Sequence, residues 1–158
     1  MRRKGSLPPR WKNGKNRSKD VRIFLDANIL FSAAKSAGAV RLFLSELTAR
    51  SHQLVADGYV IGEARRNIEA KFPSALADLD QLLAGIETSE KVSGPLAPQF
   101  LPDLVEKDRP VVSAALQHHC DILLTGDKTH FGAFYKKTVG RLQIHSSASL
   151  AQLIDNRA

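Results

Sequence analysis

Four acidic residues stand at positions from which their carboxylates could act together. They are Asp26, Glu63, Asp108 and Asp127. The first and the last of them each follow a short apolar run that is typical of a buried strand, "IFL" at 23–25 and "ILLT" at 122–125. An ionised carboxylate at the end of a buried strand is destabilising by several kcal/mol unless a cation or hydrogen-bond donors meet it. These positions therefore indicate that a cation or hydrogen-bond donors lie beside the two carboxylates.

A divalent cation is the partner that best fits this set of acids. Adjacent strands lie about 4.8 Å apart, so two strand-end acids and an acid that opens a helix can share one cleft. Carboxylates crowded together repel one another, and a metal ion removes that conflict. Carboxylate and water ligands without thiolates favour Mg²⁺ or Mn²⁺ over zinc. The pattern therefore predicts a metal site in this cleft, with Asp26 placed to hold the ion.

Each acid also has an ordinary structural explanation. Asp108 and Asp127 stand where they could cap helices, and the charge of Asp108 would meet the positive end of the helix dipole. Glu63 falls at the edge of the apolar stripe of its helix, where a glutamate is commonly solvated. Asp26 is the hardest to explain in this way, because ligands of parallel sheets bind at the carboxyl ends of the strands.

The elements that would position these acids alternate along the chain. Short apolar runs predict strands at 21–26, 52–57, 87–92, 121–125 and 141–146. Amphipathic runs predict helices at 39–50, 58–72, 74–86, 108–119 and 147–155, and a proline-rich stretch predicts a loop at 93–103. This alternation predicts an α/β fold in which helices flank both faces of a mostly parallel sheet.

The composition is that of one globular domain. The chain has 158 residues, of which 43% are hydrophobic and 25% are charged. We expect no membrane association, since no apolar run approaches the roughly 18 residues of a membrane span and no apolar core follows the charged N-terminus. Cys120 is the only cysteine, which excludes an intrachain disulfide and makes the cytoplasm the expected compartment.

The formal net charge of +7 is concentrated in the first 20 residues. This segment holds eight of the 23 basic residues but one of the 16 acidic residues, which leaves fifteen of each sign in residues 21–158. We expect residues 1–20 to be a disordered basic tail and residues 21–158 to be the domain. A basic tail attracts RNA or DNA by counterion release. The alternatives are a solvated leader, or a native start at Val21 encoded by GUG.

Four segments resemble the motifs of PIN domains in order and spacing. They are "FLDANIL", "GEARRN", "KDRPVVSAAL" and "DILLTGDKTHF". More narrowly, they are similar to the toxin branch related to VapC-type ribonucleases, over residues 21 to about 135. The resemblance implies a three-layer domain with a five-stranded, mostly parallel sheet and an acidic, magnesium-binding endoribonuclease site.

The resemblance also implies roles for single residues. The four acids match the acidic quartet of PIN domains, Asn28 matches the polar residue two places after the first acid, and Thr125 matches the hydroxyl that precedes the last. Asp121 matches a further acid that is frequent in the family, but it begins its strand and we interpret it as structural. Basic residues beside the acids are expected to bind phosphates of nucleic acid; they are Arg65, Arg66, Arg109 and Lys128.

The function that follows from the resemblance is metal-dependent cleavage of RNA by the toxin of a toxin–antitoxin pair. The cation, held by Asp26, Asp108 and Asp127 directly or through water, would activate water and neutralise charge in the transition state. Glu63 would orient a metal-bound water or help to activate the nucleophile. An antitoxin protein and a second copy of the chain are the expected partners besides RNA. The basic segment before the first strand departs from this branch, whose members usually start close to that strand.

Other functions compete with this one. A PIN-like module could bind nucleic acid or a protein without cutting, although the intact quartet argues against it. Phosphatases of the haloacid-dehalogenase type need a second aspartate where this chain has Asn28. The histidines and Cys120 form no zinc-binding pattern, and His130, near Asp127, is expected at the surface.

Overall fold

The computed structural model of the protein describes residues 20–90 and 109–157. The predicted basic tail at 1–20 lies outside the described residues except for Asp20. The predicted loop at 93–103 and the predicted metal ligand Asp108 also lie outside them.

Strands and helices alternate along the described chain, as the hydrophobic pattern predicts. The strands are β1 (Arg22–Leu25), β2 (Gln53–Asp57), β3 (Glu87–Ser89), β4 (Ile122–Leu124), β5 (Thr138–Val139) and β6 (Leu142–His145). The helices are α1 (Ala27–Lys35), α2 (Ala39–Ala49), α3 (Gly58–Lys71), α4 (Leu76–Ala84), α5 (Arg109–Gln117), α6 (Lys128–Phe131) and α7 (Ser147–Arg157). Short 3-10 turns at Pro73–Ala75 and Gly132–Phe134 precede α4 and follow α6.

The strands form one sheet in the order β3-β2-β1-β4-β6-β5. Neighbouring strands are parallel except β5 and β6, which are antiparallel. The predicted α/β fold with a mostly parallel sheet is confirmed. The predicted five strands correspond to the five parallel ones, and the sixth, β5, has only two residues at the edge. The strand order reverses between β1 and β4, and ligands bind at such a switch point in open α/β sheets.

Helix α1 begins directly after β1 because Asp26 caps it. The backbone of Asp26 is extended (φ −71°, ψ 160°), and its Oδ1 accepts the N–H of Ala27 at 2.7 Å. The hydrophobic pattern predicts no element at 27–38, because the apolar run continues from β1 into α1 without a clear change of period. α1 buries one face and packs against α2, α3 and α4.

The core encloses the two central strands. The apolar side chains of β1 and β4 are fully buried: Ile23, Phe24, Leu25, Ile122, Leu123 and Leu124. Burial on both faces explains why these strands have continuous apolar runs rather than alternating ones. None of the described helices has the length and apolar character that a membrane crossing requires.

Asp121 lies at the amino-terminal end of β4, at the opposite edge of the sheet from Asp26. Its Oδ2 accepts the N–H of Arg22 at 2.9 Å, and the residue is buried. The Arg22 guanidinium in turn pairs with Glu87 at 2.8 Å, which lowers the pKa of Glu87 and raises that of Arg22. These contacts join the starts of β1, β3 and β4 and support the structural interpretation of Asp121.

Replacing Asp121 with alanine is expected to lower the free energy of unfolding by about 1–3 kcal/mol, because the N–H of Arg22 loses its acceptor in a partly buried position. The matched control is Asp155→Ala, since the side chain of Asp155 is 72% exposed and lies 3.9 Å from Arg50. The control should change stability by less than about 0.5 kcal/mol. Urea unfolding measures both variants, and equal values for the two would contradict the structural role.

Candidate active site

A cavity of about 300 Å³ opens at the carboxyl ends of β1 and β4. Three of the four predicted acids, Asp26, Glu63 and Asp127, line it although they are far apart in the sequence. The full lining consists of Asp26, Asn28, Phe31, Tyr59, Glu63, Asn67, Lys71, Val111, Asp127 and His130. Parallel pairing of β1 with β4 and the return of α3 over this edge therefore bring the acids to one place.

Asp26 is buried at the centre of this arrangement, with 7% of its surface exposed. Its two oxygens have different donors, since Oδ1 accepts the N–H of Ala27 and Oδ2 accepts the hydroxyl of Thr125, each at 2.7 Å. Bonds of this kind compensate for the loss of water around a buried carboxylate. They also fix the orientation of the carboxylate at the cavity.

The two predicted supporting residues connect the start of α1 to the loop after β4. The hydroxyl of Thr125, which is fully buried, donates to Asp26 and accepts the N–H of Asp127 at 3.1 Å. The amide oxygen of Asn28 accepts the N–H of Gly126 at 2.9 Å. Hence the loop that carries Asp127 is held in place by residues from both sides of the switch point.

Asp127 caps α6 and also lines the cavity. Its Oδ1 accepts the N–H of His130 at 3.0 Å, and its Oδ2 lies 2.9 Å from the Nδ1 of His130. His130, which the sequence indicates as a surface residue, is half-buried and lines the cavity. Its place three residues after Asp127, in the first turn of a capped helix, is the sequence signal that could have identified it.

Tyr135 is a further residue near the acids that the sequence did not indicate. Its hydroxyl donates to the carbonyl of Thr125 at 3.3 Å. Burial is the main cause that raises the pKa of Tyr135, and the negative charges of Asp127 and Asp26 raise it further. The phenol therefore stays protonated beside the two carboxylates well above neutral pH.

Glu63 reaches the cavity from α3 together with three neighbours at four-residue spacing. Tyr59, Glu63, Asn67 and Lys71 all line the cavity, which makes them one face of the helix. The helix is fixed at its start by Asp57, the buried last residue of β2, whose Oδ1 accepts the N–H groups of Tyr59 and Val60. This spacing is the signal that could have identified Asn67 and Lys71 from the sequence.

The four basic residues expected to bind phosphates do not line this cavity. Arg65 pairs with Asp80 at 3.0 Å. Lys128 is exposed at the start of α6, and Arg109 begins α5. Their predicted role in nucleic-acid binding stays a prediction.

The family of the chain follows from comparison with known proteins. A family model of the PIN domain matches residues 22–129, which include all four predicted acids. The chain belongs to the PIN domain family. The resemblance of the four sequence motifs is thereby confirmed, and the sequence finds no match among the curated proteins.

Two solved structures share the fold of this PIN domain. VapBC2 from Rickettsia felis, bound to a DNA fragment from its promoter, is similar with a TM-score of 0.56 and 16% identity, over 79% of this chain and 98% of the other. FitAcB from Neisseria gonorrhoeae is similar with a TM-score of 0.50 and 17% identity, over 80% of this chain and 98% of the other. At these identities the similarity shows the fold alone.

The donors at the cavity of this PIN domain fit a hard divalent cation in kind. Apart from the imidazole of His130 and the phenol of Tyr59, they are carboxylate and amide oxygens. The only thiol, that of Cys120, is absent from the lining and is buried, and this burial raises its pKa to about 12. Within residues 20–90 and 109–157, no three His, Cys, Asp or Glu side chains lie close enough together to bind a metal. A complete ligand set would therefore need a donor outside these residues, such as Asp108, or water.

Replacing Thr125 with valine preserves the shape of the side chain and removes both hydrogen bonds of its hydroxyl. We expect the free energy of unfolding to fall by about 1–3 kcal/mol, because the buried carboxylate of Asp26 loses a donor. The amide of Asp127 should also exchange hydrogen faster, because it loses its acceptor. Thr125→Ser, which keeps the hydroxyl, is the control and should retain slow exchange. Equal exchange in the two variants would mean that the hydroxyl does not hold the loop.

Proposed function

We propose that this PIN domain is a metal-dependent endoribonuclease, which hydrolyses phosphodiester bonds of RNA in the cytoplasm as the toxin of a toxin–antitoxin pair. The observation that carries the proposal is the convergence of Asp26, Glu63 and Asp127 on one cavity from three separate elements. Membership of the PIN family, whose proteins are typically nucleases, supports the same reaction.

Hydrolysis of a phosphodiester needs an attacking water and a counter-charge for the non-bridging oxygens in the transition state. Mg²⁺ or Mn²⁺ supplies both when bound. Asp26, Asp108 and Asp127 would hold the ion, and the two hydrogen-bond donors on Asp26 would keep its carboxylate in one orientation at the cavity. Glu63 is half-buried and makes no hydrogen bond or ion pair within the described residues, so its carboxylate is available to orient the water.

Basic side chains around the cavity would bind the phosphates that flank the scissile one. Lys71 lies in the lining itself, and Arg109 and Lys128 belong to the helices that begin beside the predicted acids. Arg66 is exposed on α3, whereas Arg65 already pairs with Asp80. We therefore expect Arg65 to contribute least among the four predicted phosphate-binding residues.

The biological role rests on the likeness of the fold to VapBC2 and FitAcB. An antitoxin protein would then bind this chain, and a second copy of the chain would be a further partner. A neighbouring reading frame that encodes a small protein which binds and inhibits the enzyme would support the role. A nuclease without such a neighbour would retain the proposed chemistry and lose the toxin assignment.

Purified protein is expected to cleave RNA in Mg²⁺ or Mn²⁺ and to stop when a chelator is added. Asp26→Asn keeps the size of the side chain but removes its charge, and should lower the cleavage rate at least about 100-fold. The matched control is Asp155→Asn, an exposed acid on α7, which should cleave like the wild type. Equal cleavage by Asp26→Asn would indicate a contaminating nuclease and refute the assignment. A wild type that binds RNA but never cuts it would favour a binding module.

Replacing Glu63 with glutamine tests the proposed orientation of the attacking water. Because a neutral amide holds a water less strongly than a carboxylate does and cannot take up its proton, kcat should fall by about 100-fold or more while KM changes little. Glu69→Gln is the control, since Glu69 is exposed on the same helix and does not line the cavity. A change confined to KM would instead place Glu63 in substrate binding.

A further inference from the structure

Two aromatic rings and two lysines form a cluster beside the acidic cavity. We call it the aromatic–lysine platform; its members are Phe31 and Lys35 of α1, Lys71 at the end of α3, and Phe72 directly after it. The ring centroids of Phe31 and Phe72 are 5.9 Å apart, and the rings are tilted by 56°. This is a favourable geometry for two aromatic side chains.

The lysines hold positive charge against these rings. The Nζ of Lys35 lies 5.4 Å from the centroid of Phe31 and 6.0 Å from that of Phe72, and the Nζ of Lys71 lies 5.7 Å from the centroid of Phe31. Both lysines are exposed, and neither pairs with a carboxylate among the described residues. The platform therefore presents aromatic surface and ammonium donors together.

The platform is continuous with the candidate active site. Phe31 and Lys71 line the same cavity as Asp26 and Glu63. Phe72 is 44% exposed, and its N–H donates to the carbonyl of Ile68 at 2.8 Å, which fixes the backbone at the end of α3. Through its contact with Phe31, the exposed ring of Phe72 extends the apolar surface of the cavity.

We propose that the aromatic–lysine platform is a subsite for single-stranded RNA next to the scissile phosphate, an inference that rests on the proposed ribonuclease function. An unpaired base stacks on the exposed ring of Phe72, and the neighbouring phosphate binds Lys35 and Lys71. Aromatic side chains bind single strands by such stacking with little dependence on sequence. In a duplex the faces of the bases are covered by their neighbours, so the platform selects unpaired nucleotides.

Charge also favours nucleic acid over an apolar protein segment as the occupant. The acids of the cavity repel an incoming polyanion, and the two lysines lie where its flanking phosphates would pass. An apolar partner would remove two ammonium groups from water without pairing them, which is unfavourable. A strand of RNA satisfies the cations and covers the rings at once.

Binding is tested in the Asp26→Asn background, where cleavage does not interfere, with a single-stranded oligoribonucleotide that carries the fluorescent base 2-aminopurine. Phe72→Ala is expected to raise Kd about 5- to 100-fold and to abolish the fluorescence quenching that stacking produces. Phe72→Tyr, which keeps the ring, should restore both. The control is Leu42→Ala, because Leu42 is 62% exposed on α2 and does not line the cavity.

Salt dependence separates the phosphate contacts from the stacking. Lys71→Gln should weaken binding. It should also lower the slope of log Kd against log salt concentration by about the amount that corresponds to the loss of one phosphate contact. Lys137→Gln is the control, since Lys137 is exposed before β5 and does not line the cavity. A duplex of the same sequence should bind more weakly and should respond little to Phe72→Ala.

The outcomes distinguish failure of the platform from failure of the ribonuclease assignment. If protein with Asp26 intact cleaves RNA and Phe72→Ala leaves Kd and KM unchanged, the platform is refuted while the nuclease stands. If that protein never cleaves but Phe72→Ala weakens single-strand binding, the nuclease assignment fails and the platform stands. Equal loss for duplex and single strand, no RNA binding at all, or a changed oligomeric state with unchanged RNA binding would each refute the platform.

Discussion

The candidate site depends on the hydrogen bond from the Thr125 hydroxyl to Asp26, at 2.7 Å. Parallel pairing of β1 with β4, with Leu25 opposite Leu124, brings the ends of the two strands together. The hydroxyl then fixes the carboxylate of Asp26 and, through its bond to the N–H of Asp127, the loop that carries the second acid. A single buried oxygen therefore orients two residues that are about 100 positions apart in the sequence.

Two of the acids that line the cavity also cap helices. Asp26 caps α1 and Asp127 caps α6, and both carboxylates line the cavity. A cap satisfies backbone N–H groups that would otherwise lack acceptors, and this stabilises the negative charge that a metal site needs. The ordinary structural explanation of Asp127 is therefore correct without excluding a role at the site. Substitution of either acid by alanine would remove a cap as well as a charge, whereas asparagine keeps an acceptor oxygen for the cap and removes the charge.

Much of the fold could be predicted because strand ends and helix stripes are local properties of the sequence. The two runs that precede Asp26 and Asp127 have the continuous apolar character of strands buried on both faces, and they are fully buried. Helix α1 could not be separated from β1, because its apolar residues follow the strand without interruption. The two-residue strand β5 has no pattern of its own. Tyr135 approaches the acids only through tertiary packing, which no spacing in the sequence reveals.

Helix α3 places an acidic and a basic side chain at separate positions along the cavity. Glu63 and Lys71 lie on one face, eight residues apart, which corresponds to about 12 Å along the helix. An RNA strand bound as proposed would cross this face and meet the carboxylate of Glu63 at one position and the ammonium group of Lys71, with its aromatic neighbours, at another. Placing the cations among the acids would neutralise the carboxylates and compete with a metal ion. In the proposed function this separation would leave the carboxylates available to a cation, while Lys35 and Lys71 would counter the repulsion between the cavity and a polyanion.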